Sequence, residues 1–283
     1  MGVIVPLVEP EELSALIRRA LREDLGPGDL TTDWLIPPEA RGRAVIVTRK
    51  TGIACGLNVA GLVFSSVDPG TILAASVAEG ERVAEGQELA RVEGSLAAIL
   101  KGERVALNFV QRLSGIATRT AKLVVLLGGT KARLIDTRKT TPGLRALEKY
   151  AVRVGGGANH RFGLFDGVLI KDNHIKAAGG ITRAVALLRA RVPHTVKIEV
   201  EVENLAELGE ALAAGADVVM LDNMSVAEMA RAVRLVGGRI PLEASGGIDD
   251  QNIAAVAATG VDLISVGALT HTIQPLDVSL EVL

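Results

Sequence analysis

Hydrophobic positions along the chain change their spacing near residue 95. Before that point a helical pattern spans Pro10–Leu25, and Gly26 with Pro27 predicts its end. Short segments of β-strand character, separated by glycines, follow at residues 43–49, 71–77 and 88–92. This part of the chain is therefore predicted to form a small α/β domain with a mostly antiparallel sheet.

From residue 95 onward the pattern predicts a long helix followed by alternating strands and helices. The long helix is predicted over residues 96–127, with Leu107, Val110 and Leu113 on one face. The strands are predicted at residues 133–135, 168–170, 196–202, 218–221, 240–242 and 263–266, and the helices at residues 181–190, 205–214, 227–236 and 253–258. Such alternation predicts βαβ units and a parallel sheet. Six or seven units favour a closed or nearly closed barrel, and an open doubly wound sheet fits the same periodicity.

Composition narrows the class of protein. The formal net charge of -2 at pH 7 and the aromatic content of 2% argue against general binding to nucleic acids or membrane surfaces. A single Cys55 excludes an internal disulfide and a zinc site built from cysteines. No apolar run reaches about 18 residues, the length that a bilayer span needs. The first residues lack the features of a signal peptide, and Pro6 argues against myristoylation, so we expect a cytoplasmic protein.

Charged residues and glycines follow almost every predicted strand of the second part. In α/β barrels the loops after the strands carry the chemistry, because the carboxyl ends of parallel strands meet on one face. The residues in these positions are Asp136 to Gly143, Lys171 to His174, Glu199, Glu201, Asp222, Asn223, Ser245 to Gly247 and Gly267. We therefore expect one functional site that is assembled from several loops.

The acidic residues of this set suggest a magnesium and ribose site. Glu199 and Glu201 are two positions apart, so they share one face of a strand and repel each other unless a cation or a hydroxyl-rich ligand joins them. An internal salt-bridge network is the simpler alternative for such a pair. With Asp222 after the next strand, we favour Mg²⁺ held through carboxylates, phosphate oxygens and water.

Glycines and cations of the same loops suggest an anionic substrate. Glycine turns after the last two strands let backbone amides approach a phosphate, although an empty tight turn would have the same sequence. The basic residues near the strand ends are Arg138, Lys139, His160, Arg161 and Lys171, and Arg104 lies near the start of the long helix. Clustered cations repel one another, so a substrate with several negative charges is expected. Scattered surface cations would explain Arg104 alone.

The sequence pattern of residues 77–89 is typical of a biotinyl or lipoyl carrier hairpin. A carrier needs an exposed lysine at the hairpin tip, and no lysine lies between Lys50 and Lys101. We therefore interpret this segment as structural. His174, His194 and His271 lack the spacing of a metal site, and we expect them to be packing or surface residues.

Taken together, these motifs resemble the quinolinate phosphoribosyltransferase family. The resemblance runs in order from the first helix to Thr270. The motifs that carry it are Glu23 to Thr31, Gly102 to Asn108, Asp136 to Gly143, Asn159 to Arg161, Leu169 to His174, Glu199 to Val202, Leu221 to Asn223 and Glu243 to Gly247. Related molybdenum-transport proteins share much of the pattern.

The resemblance implies an α/β fold in which a small N-terminal sandwich domain is joined to an incomplete (β/α) barrel. We place the sandwich domain at residues 1–112 together with the tail 270–283, and the barrel at residues 113–269. It also implies a homodimer, or a higher homo-oligomer, in which the partner subunit completes each site through Arg104.

The resemblance also implies residue roles. Arg138, His160 and Arg161 would bind quinolinate, and Lys139 and Lys171 would face a substrate carboxylate and pyrophosphate. Thr137 would also belong to the substrate-binding residues. Glu201 and Asp222 would contact ribose hydroxyls and Mg²⁺, with Glu199 nearby. Ser245, Gly246, Gly247 and Gly267 would hold the 5-phosphate of phosphoribosyl pyrophosphate. The catalytic residues would be Lys139, Lys171, Glu201 and Asp222.

The implied reaction transfers a phosphoribosyl group to quinolinate with loss of CO2, in NAD biosynthesis. Three alternatives stay open at this point. The chain could act on another anionic acceptor, as nicotinate or a molybdenum-linked ligand would be. It could be a phosphate-binding module without chemistry, or it could be a carrier protein.

Overall fold

The computed structural model describes residues 9–283, so the first eight residues of the predicted sandwich domain, including Pro6, lie outside the described residues. The helices are α1 (Pro10–Leu25), α2 (Thr32–Leu35), α3 (Leu57–Val67), α4 (Leu96–Leu126), α5 (Arg145–Val154), α6 (Asp172–Ala178), α7 (Ile181–Arg189), α8 (Leu205–Ala213), α9 (Val226–Val236), α10 (Ile253–Ala258) and α11 (Ala268–His271). The strands are β1 (Arg41–Thr48), β2 (Gly52–Ile53), β3 (Ile72–Ala75), β4 (Arg82–Val83), β5 (Glu88–Ser95), β6 (Arg133–Ile135), β7 (Val168–Ile170), β8 (Ile198–Val202), β9 (Val218–Asp222), β10 (Leu242–Ser245), β11 (Leu263–Ser265) and β12 (Val278–Val282).

The chain divides into two compact units that are both discontinuous in sequence. The first contains the described residues through Ala121 together with Thr141–Gly156 and Thr272–Leu283. The second contains Lys122–Thr140 and Gly157–His271. The predicted boundary at residue 112 remains a prediction about folding domains.

An antiparallel sheet with strand order β12-β1-β5-β3 forms the centre of the first unit. Strand β1 alternates between the two faces of the sheet and buries Ala44, Ile46 and Thr48. Its register with β12 runs from the pair Ala44 and Val282 to the pair Thr48 and Val278. The last residues of the chain therefore complete the sheet of the first unit.

Residues 77–89, the segment with the pattern of a carrier hairpin, stabilise the start of a helix in the first unit. Both Gly56 and Leu57 donate backbone N–H groups to the carboxylate of Glu79, at 2.9 and 2.8 Å. The Tyr150 hydroxyl donates to the same carboxylate at 3.1 Å. Burial, with the charge of Glu79, raises the pKa of Tyr150 well above its ordinary value. Glu79 thus supplies hydrogen-bond acceptors that the first turn of α3 needs.

The second unit is built on six parallel strands in the order β6-β11-β10-β9-β8-β7. The two end strands nevertheless line one cavity, through Arg133 and Ile135 of β6 and Val168 of β7. In a flat sheet, five strand spacings would separate β6 from β7 by roughly 24 Å. The sheet is therefore curled, and the prediction of an incomplete α/β barrel is confirmed.

The segment after α5 lies against the β6 edge of this curled sheet. Ala158 donates its N–H to the Leu134 carbonyl at 2.8 Å, and Asp136 donates to the Ala158 carbonyl at 3.2 Å. This short parallel bridge brings His160 and Arg161 to the barrel interior.

The strand predicted at residues 240–242 was placed too early, because β10 begins only at Leu242. Pro241 has no N–H to donate to a neighbouring strand, and the first donated bond of β10 goes from Leu242 to the Asp262 carboxylate at 2.9 Å. The helices α3, α5 and α6 and the one-turn helices α2 and α11 were not predicted. α3 buries Leu57, Val59, Ala60 and Val63, so its apolar run gave no clear helical period.

Among residues 9–283, no helix combines the length and the apolar character that crossing a bilayer requires.

Candidate active site

The strand register aligns acidic and polar side chains on the inner face of the barrel. Glu201 of β8 is the register partner of Met220 of β9, and Met220 is the partner of Glu243 of β10. Two residues further along both strands, Asp222 is the register partner of Ser245. Because side chains alternate along a strand, these five residues share one face of the sheet.

A cavity of about 580 Å³ lies at the carboxyl ends of the parallel strands. Eleven of the predicted site residues line it: Thr137, Arg138, Lys139, His160, Arg161, Lys171, Glu201, Asp222, Ser245, Gly246 and Gly247. The lining also contains Asn223, which was expected at a strand end without an assigned role, and four residues that were not predicted as site residues: Leu169, Met220, Glu243 and Ser265. The same two-residue alternation that relates Glu199 to Glu201 would have found Glu243, two positions before Ser245.

Two predicted site residues are not among those that line the cavity. Gly267 lies beside it, because a Cβ atom at this position would be 3.0 Å from Cδ of Lys139 and 3.1 Å from Nε2 of His271. Arg104 lies on α4, in the first unit, where its exposed guanidinium is 3.9 Å from the Glu103 carboxylate.

The buried Asp136 fixes the segment that carries two predicted quinolinate ligands. One carboxylate oxygen accepts the backbone N–H of His160 at 2.9 Å, and the other accepts the side-chain amide of Asn159 at 2.6 Å. Asp136 follows β6 directly, so the end of a strand and a later loop are joined through one side chain. The sequence motif contained Asp136 but gave it no such role.

The loop that carries Lys139 is held at two points. Lys139 donates its backbone N–H to the Thr137 hydroxyl at 3.0 Å. Its carbonyl accepts the Thr270 hydroxyl at 2.7 Å. These bonds position the backbone of Lys139 while its side chain borders the cavity.

Positive charge is concentrated on one side of the cavity. Burial lowers the pKa of the Arg161 guanidinium, and the nearby charge of Arg138 lowers it further. Nη1 of Arg161 donates to the Gly167 carbonyl at 2.9 Å, which fixes its direction. A bound anion would relieve the repulsion between these two arginines.

The acidic side of the cavity fits a magnesium ion. Glu201 forms an ion pair with Lys171, and an oxygen of Asp222 accepts the Asn223 side-chain amide at 2.7 Å. Each carboxylate keeps a second oxygen, and both line the same cavity. Two carboxylates completed by phosphate oxygens and water are the donor set that Mg²⁺ prefers. Glu199, expected near this pair, does not line this cavity but a second one at the amino ends of the strands.

His160 forms a cluster with Glu199 and the buried Glu243, and all three residues line the cavity at the amino ends of the strands. Nε2 of His160 is 3.2 Å from Oε2 of Glu199 and 3.7 Å from Oε2 of Glu243. Nδ1 of His160 accepts the backbone N–H of Arg161 at 2.6 Å. Burial, with the charge of Glu199, raises the pKa of Glu243 well above its ordinary value.

His174, one of the histidines that we expected to be packing or surface residues, is exposed and lies at the start of α6. Its Nδ1 accepts the backbone N–H of Lys171 at 3.0 Å. This bond satisfies a backbone donor at the helix start and fixes the chain beside Lys171.

Comparisons with known proteins agree along the whole described chain. The family model described as "Quinolinate phosphoribosyl transferase, N-terminal domain" matches residues 29–114, and "Quinolinate phosphoribosyl transferase, C-terminal domain" matches residues 116–281. A Bacillus subtilis protein named probable nicotinate-nucleotide pyrophosphorylase (carboxylating) is 45% identical over 271 residues, which is 96% of this chain and 93% of that protein. The Mycobacterium leprae nicotinate-nucleotide pyrophosphorylase (carboxylating) is also 45% identical over 271 residues, with 94% and 95% covered. The solved structure of the nicotinate-nucleotide pyrophosphorylase from Francisella tularensis has a TM-score of 0.94 at 44% identity and covers 98% of each chain.

Proposed function

The chain belongs to the quinolinate phosphoribosyl transferase family, and we propose that the cavity at the carboxyl ends of β6–β11 is the active site for the family's reaction. The reaction joins quinolinate to phosphoribosyl pyrophosphate and yields nicotinate mononucleotide, pyrophosphate and CO2 in NAD biosynthesis. The observation that supports this site is the convergence of Lys139, Lys171, Asp222 and Gly246 on one cavity. A polyanionic sugar phosphate and a dicarboxylate match its charges.

Quinolinate binding requires a clamp for two carboxylates and no catalytic base. The pyridine nitrogen carries no proton at neutral pH, so transfer depends on holding it in line with the ribose carbon. Arg138 and Arg161 provide planar donor groups that suit carboxylates. Arg161, fixed by its bond to Gly167, suits the carboxylate that the product retains.

Loss of CO2 follows from the transfer step. Once the ring nitrogen bonds to ribose it is positively charged, and it stabilises the electron pair that the departing CO2 leaves on the adjacent ring carbon. That carbon then takes up a proton from solvent. A tight grip on that carboxylate would oppose its departure, because only interactions that strengthen in the transition state accelerate a reaction. The arginines therefore hold the retained carboxylate more tightly than the leaving one.

Lys139 and Lys171 stabilise the charge that develops on the departing pyrophosphate. Lys171 is paired with Glu201 before substrate arrives. When phosphoribosyl pyrophosphate binds, the ammonium of Lys171 exchanges part of this contact for phosphate oxygens. Such preorganised charge lowers the barrier without reorganisation during the reaction.

Mg²⁺ is the cofactor that the acidic side of the cavity suits, and Glu201 and Asp222 would hold it. When bound, the ion would neutralise charge on the pyrophosphate group. The same two carboxylates would accept hydrogen bonds from ribose hydroxyls.

The 5-phosphate site is formed by Ser245, Gly246 and Gly247, with Gly267 beside it. Gly246 has φ +90°, and a Cβ atom there would overlap the Asn223 side-chain amide and lie 2.9 Å from the Asn223 backbone nitrogen. Only glycine avoids this overlap and leaves the backbone open to an anion.

Gly246→Ala is therefore expected to raise the KM for phosphoribosyl pyrophosphate by about tenfold or more, which equals about 1.4 kcal/mol. Gly215→Ala is the matched control, because Gly215 does not line the cavity and also has a positive φ but no atom within 4 Å of its added Cβ. That control carries only backbone strain, about 1 kcal/mol of stability. Steady-state kinetics with melting temperatures separate the two effects. Equal KM values for both variants would exclude the overlap with Asn223 as the cause.

We propose that the enzyme acts as a homodimer in which Arg104 of each chain completes the site of the other. The support is that Arg104 is exposed on α4 of the first unit, while the cavity is lined by residues of the second. Arg104→Ala and Lys139→Ala proteins should each be nearly inactive. After unfolding and refolding together, the mixture should regain activity, because some dimers then contain one intact site. A mixture as inactive as its components would contradict a site shared in this way.

The proposed function is tested with the unmodified protein, quinolinate, phosphoribosyl pyrophosphate and magnesium. Release of CO2 and formation of nicotinate mononucleotide, dependent on all three additions, are the expected results. Consumption of phosphoribosyl pyrophosphate with nicotinate but not quinolinate would indicate another acceptor. Binding without turnover would indicate a module that lacks chemistry, and either outcome would reject the proposal.

A further inference from the structure

We infer that Glu243 is a positioning residue that carries a proton and donates it in a hydrogen bond to Glu199, so that Glu199 and His160 form a fixed floor beneath the quinolinate site. This inference rests on the proposed function, because it concerns how that site keeps its affinity for a dicarboxylate. Glu243 is 1% exposed and Glu199 is 8% exposed. Neither residue needs to touch substrate to act in this way.

The hydrogen bonds of His160 fix the position of its own proton. Nδ1 accepts the backbone N–H of Arg161, so this nitrogen carries a lone pair and no proton. The proton of the neutral ring is therefore on Nε2, which points at Glu199 over 3.2 Å. His160 thus donates to Glu199, and Glu199 must present an acceptor oxygen.

Two buried carboxylate oxygens have no donor if both glutamates are ionised. Oε1 of Glu199 and Oε1 of Glu243 are buried and accept no hydrogen bond from the described residues. One ligand atom from each glutamate lies within 4.8 Å of the other and of His160. Two like charges at this separation in a buried site repel strongly. A proton on Glu243 removes one charge and supplies the missing donor.

A metal ion could also hold three such groups together, but the hydrogen bonding of His160 excludes a metal at this position. A histidine that binds a metal through one nitrogen usually donates a hydrogen bond from the other. His160 accepts at Nδ1, so its Nε2 is occupied by a proton and has no lone pair for a metal. A proton is consequently the occupant that fits this cluster.

The neutral state of Glu243 matters for the charge beneath the substrate. Glu199 attracts the guanidinium of Arg161, and Lys171 lies within electrostatic range of Glu243. If both glutamates were ionised, their two negative charges would offset the positive charge of the arginines that face a dianionic substrate. With Glu243 neutral, Glu199 alone balances Arg161, and the cavity keeps its excess of positive charge.

The test compares Glu243→Gln, Glu243→Ala and Glu199→Gln by steady-state kinetics. Glutamine at position 243 reproduces the neutral donor, so this variant should recover the KM for quinolinate that Glu243→Ala loses. Glu199→Gln replaces one of the two acceptor oxygens that His160 and Glu243 require with a donor, and should raise the KM for quinolinate by about tenfold. The KM for phosphoribosyl pyrophosphate should stay within about twofold of wild type in all three variants. A purely structural role would move both KM values together.

An infrared difference spectrum of wild type minus Glu243→Gln gives a second readout that needs no activity. It should show the C=O stretch of a protonated carboxyl group that the variant lacks. Absence of that band would overturn the inference. A KM for quinolinate that is as high in Glu243→Gln as in Glu243→Ala would also overturn it. Metal retained stoichiometrically by wild type and lost in both glutamine variants would do so too. The proposed function fails separately, through absence of product from the wild-type protein.

Discussion

Lys139→Ala is expected to lower kcat by about 10²–10³-fold while changing the KM for quinolinate by no more than about threefold. The physical reason is that, in the proposed mechanism, Lys139 faces charge that grows only as pyrophosphate departs. Its backbone is held by Thr137 and Thr270 whether or not the side chain is present. Truncation should therefore remove a charge from the transition state without moving the loop.

Lys131→Ala is the matched control for this experiment. Lys131 lies in the same unit, is 59% exposed in its side chain and pairs with Asp262 on the surface at 2.7 Å. It should keep wild-type kcat, because exposed pairs contribute little. If Lys139→Ala also turned over normally, Lys139 would have no role at the leaving group. A pure rise in KM would reassign it to substrate binding.

Arg161→Ala should weaken quinolinate binding by about 2–5 kcal/mol, because it leaves one substrate carboxylate without its charged partner. The side chain is only partly buried, so the lower half of this range is the better expectation. Arg161→Lys keeps the charge but loses the planar pair of donors, and it should fall between Arg161→Ala and wild type. Quinolinate titration by calorimetry measures the loss directly.

The control for the arginine series is Arg231→Ala. Arg231 is exposed on α9 and lies 3.8 Å from Glu228, so its removal should leave quinolinate affinity unchanged. If Arg161→Ala bound quinolinate as tightly as this control, Arg161 would not be a substrate ligand. Because Glu199 lies near Arg161, we also expect Arg161→Ala to alter the His160 cluster, which makes the lysine variant the cleaner comparison.

The residues at the strand ends could be predicted from the sequence, because every strand of a parallel sheet places its carboxyl end on the same face. Lys171, Glu201, Asp222 and Ser245 each follow or end an apolar run, and the register places them around one cavity. Of the helices between them, α7, α8 and α9 were predicted to within a few residues, since their apolar faces repeat at helical spacing. The number of units favoured a barrel without excluding an open sheet, and the cavity lined by both β6 and β7 decides between them.

Contacts between distant segments could not be read in the same way. Nothing in the motif around Asp136 indicates that its carboxylate binds the backbone of His160, because that bond joins residues 24 positions apart. Glu199 was expected beside the magnesium pair on account of strand alternation. Strand alternation predicts which face of the sheet a side chain occupies, but not how deep in the barrel it lies. Glu199 lies deeper than Glu201, against His160.

The pairing of β12 with β1 affects the order in which the protein can fold during synthesis. Residues 157–271 of the barrel leave the ribosome before the strand at residues 278–282 that completes the other sheet. Until then β1 has one unpaired edge, and an unpaired edge is a template for association between chains. Early stages of translation therefore expose the edge of the N-terminal sheet to misassembly.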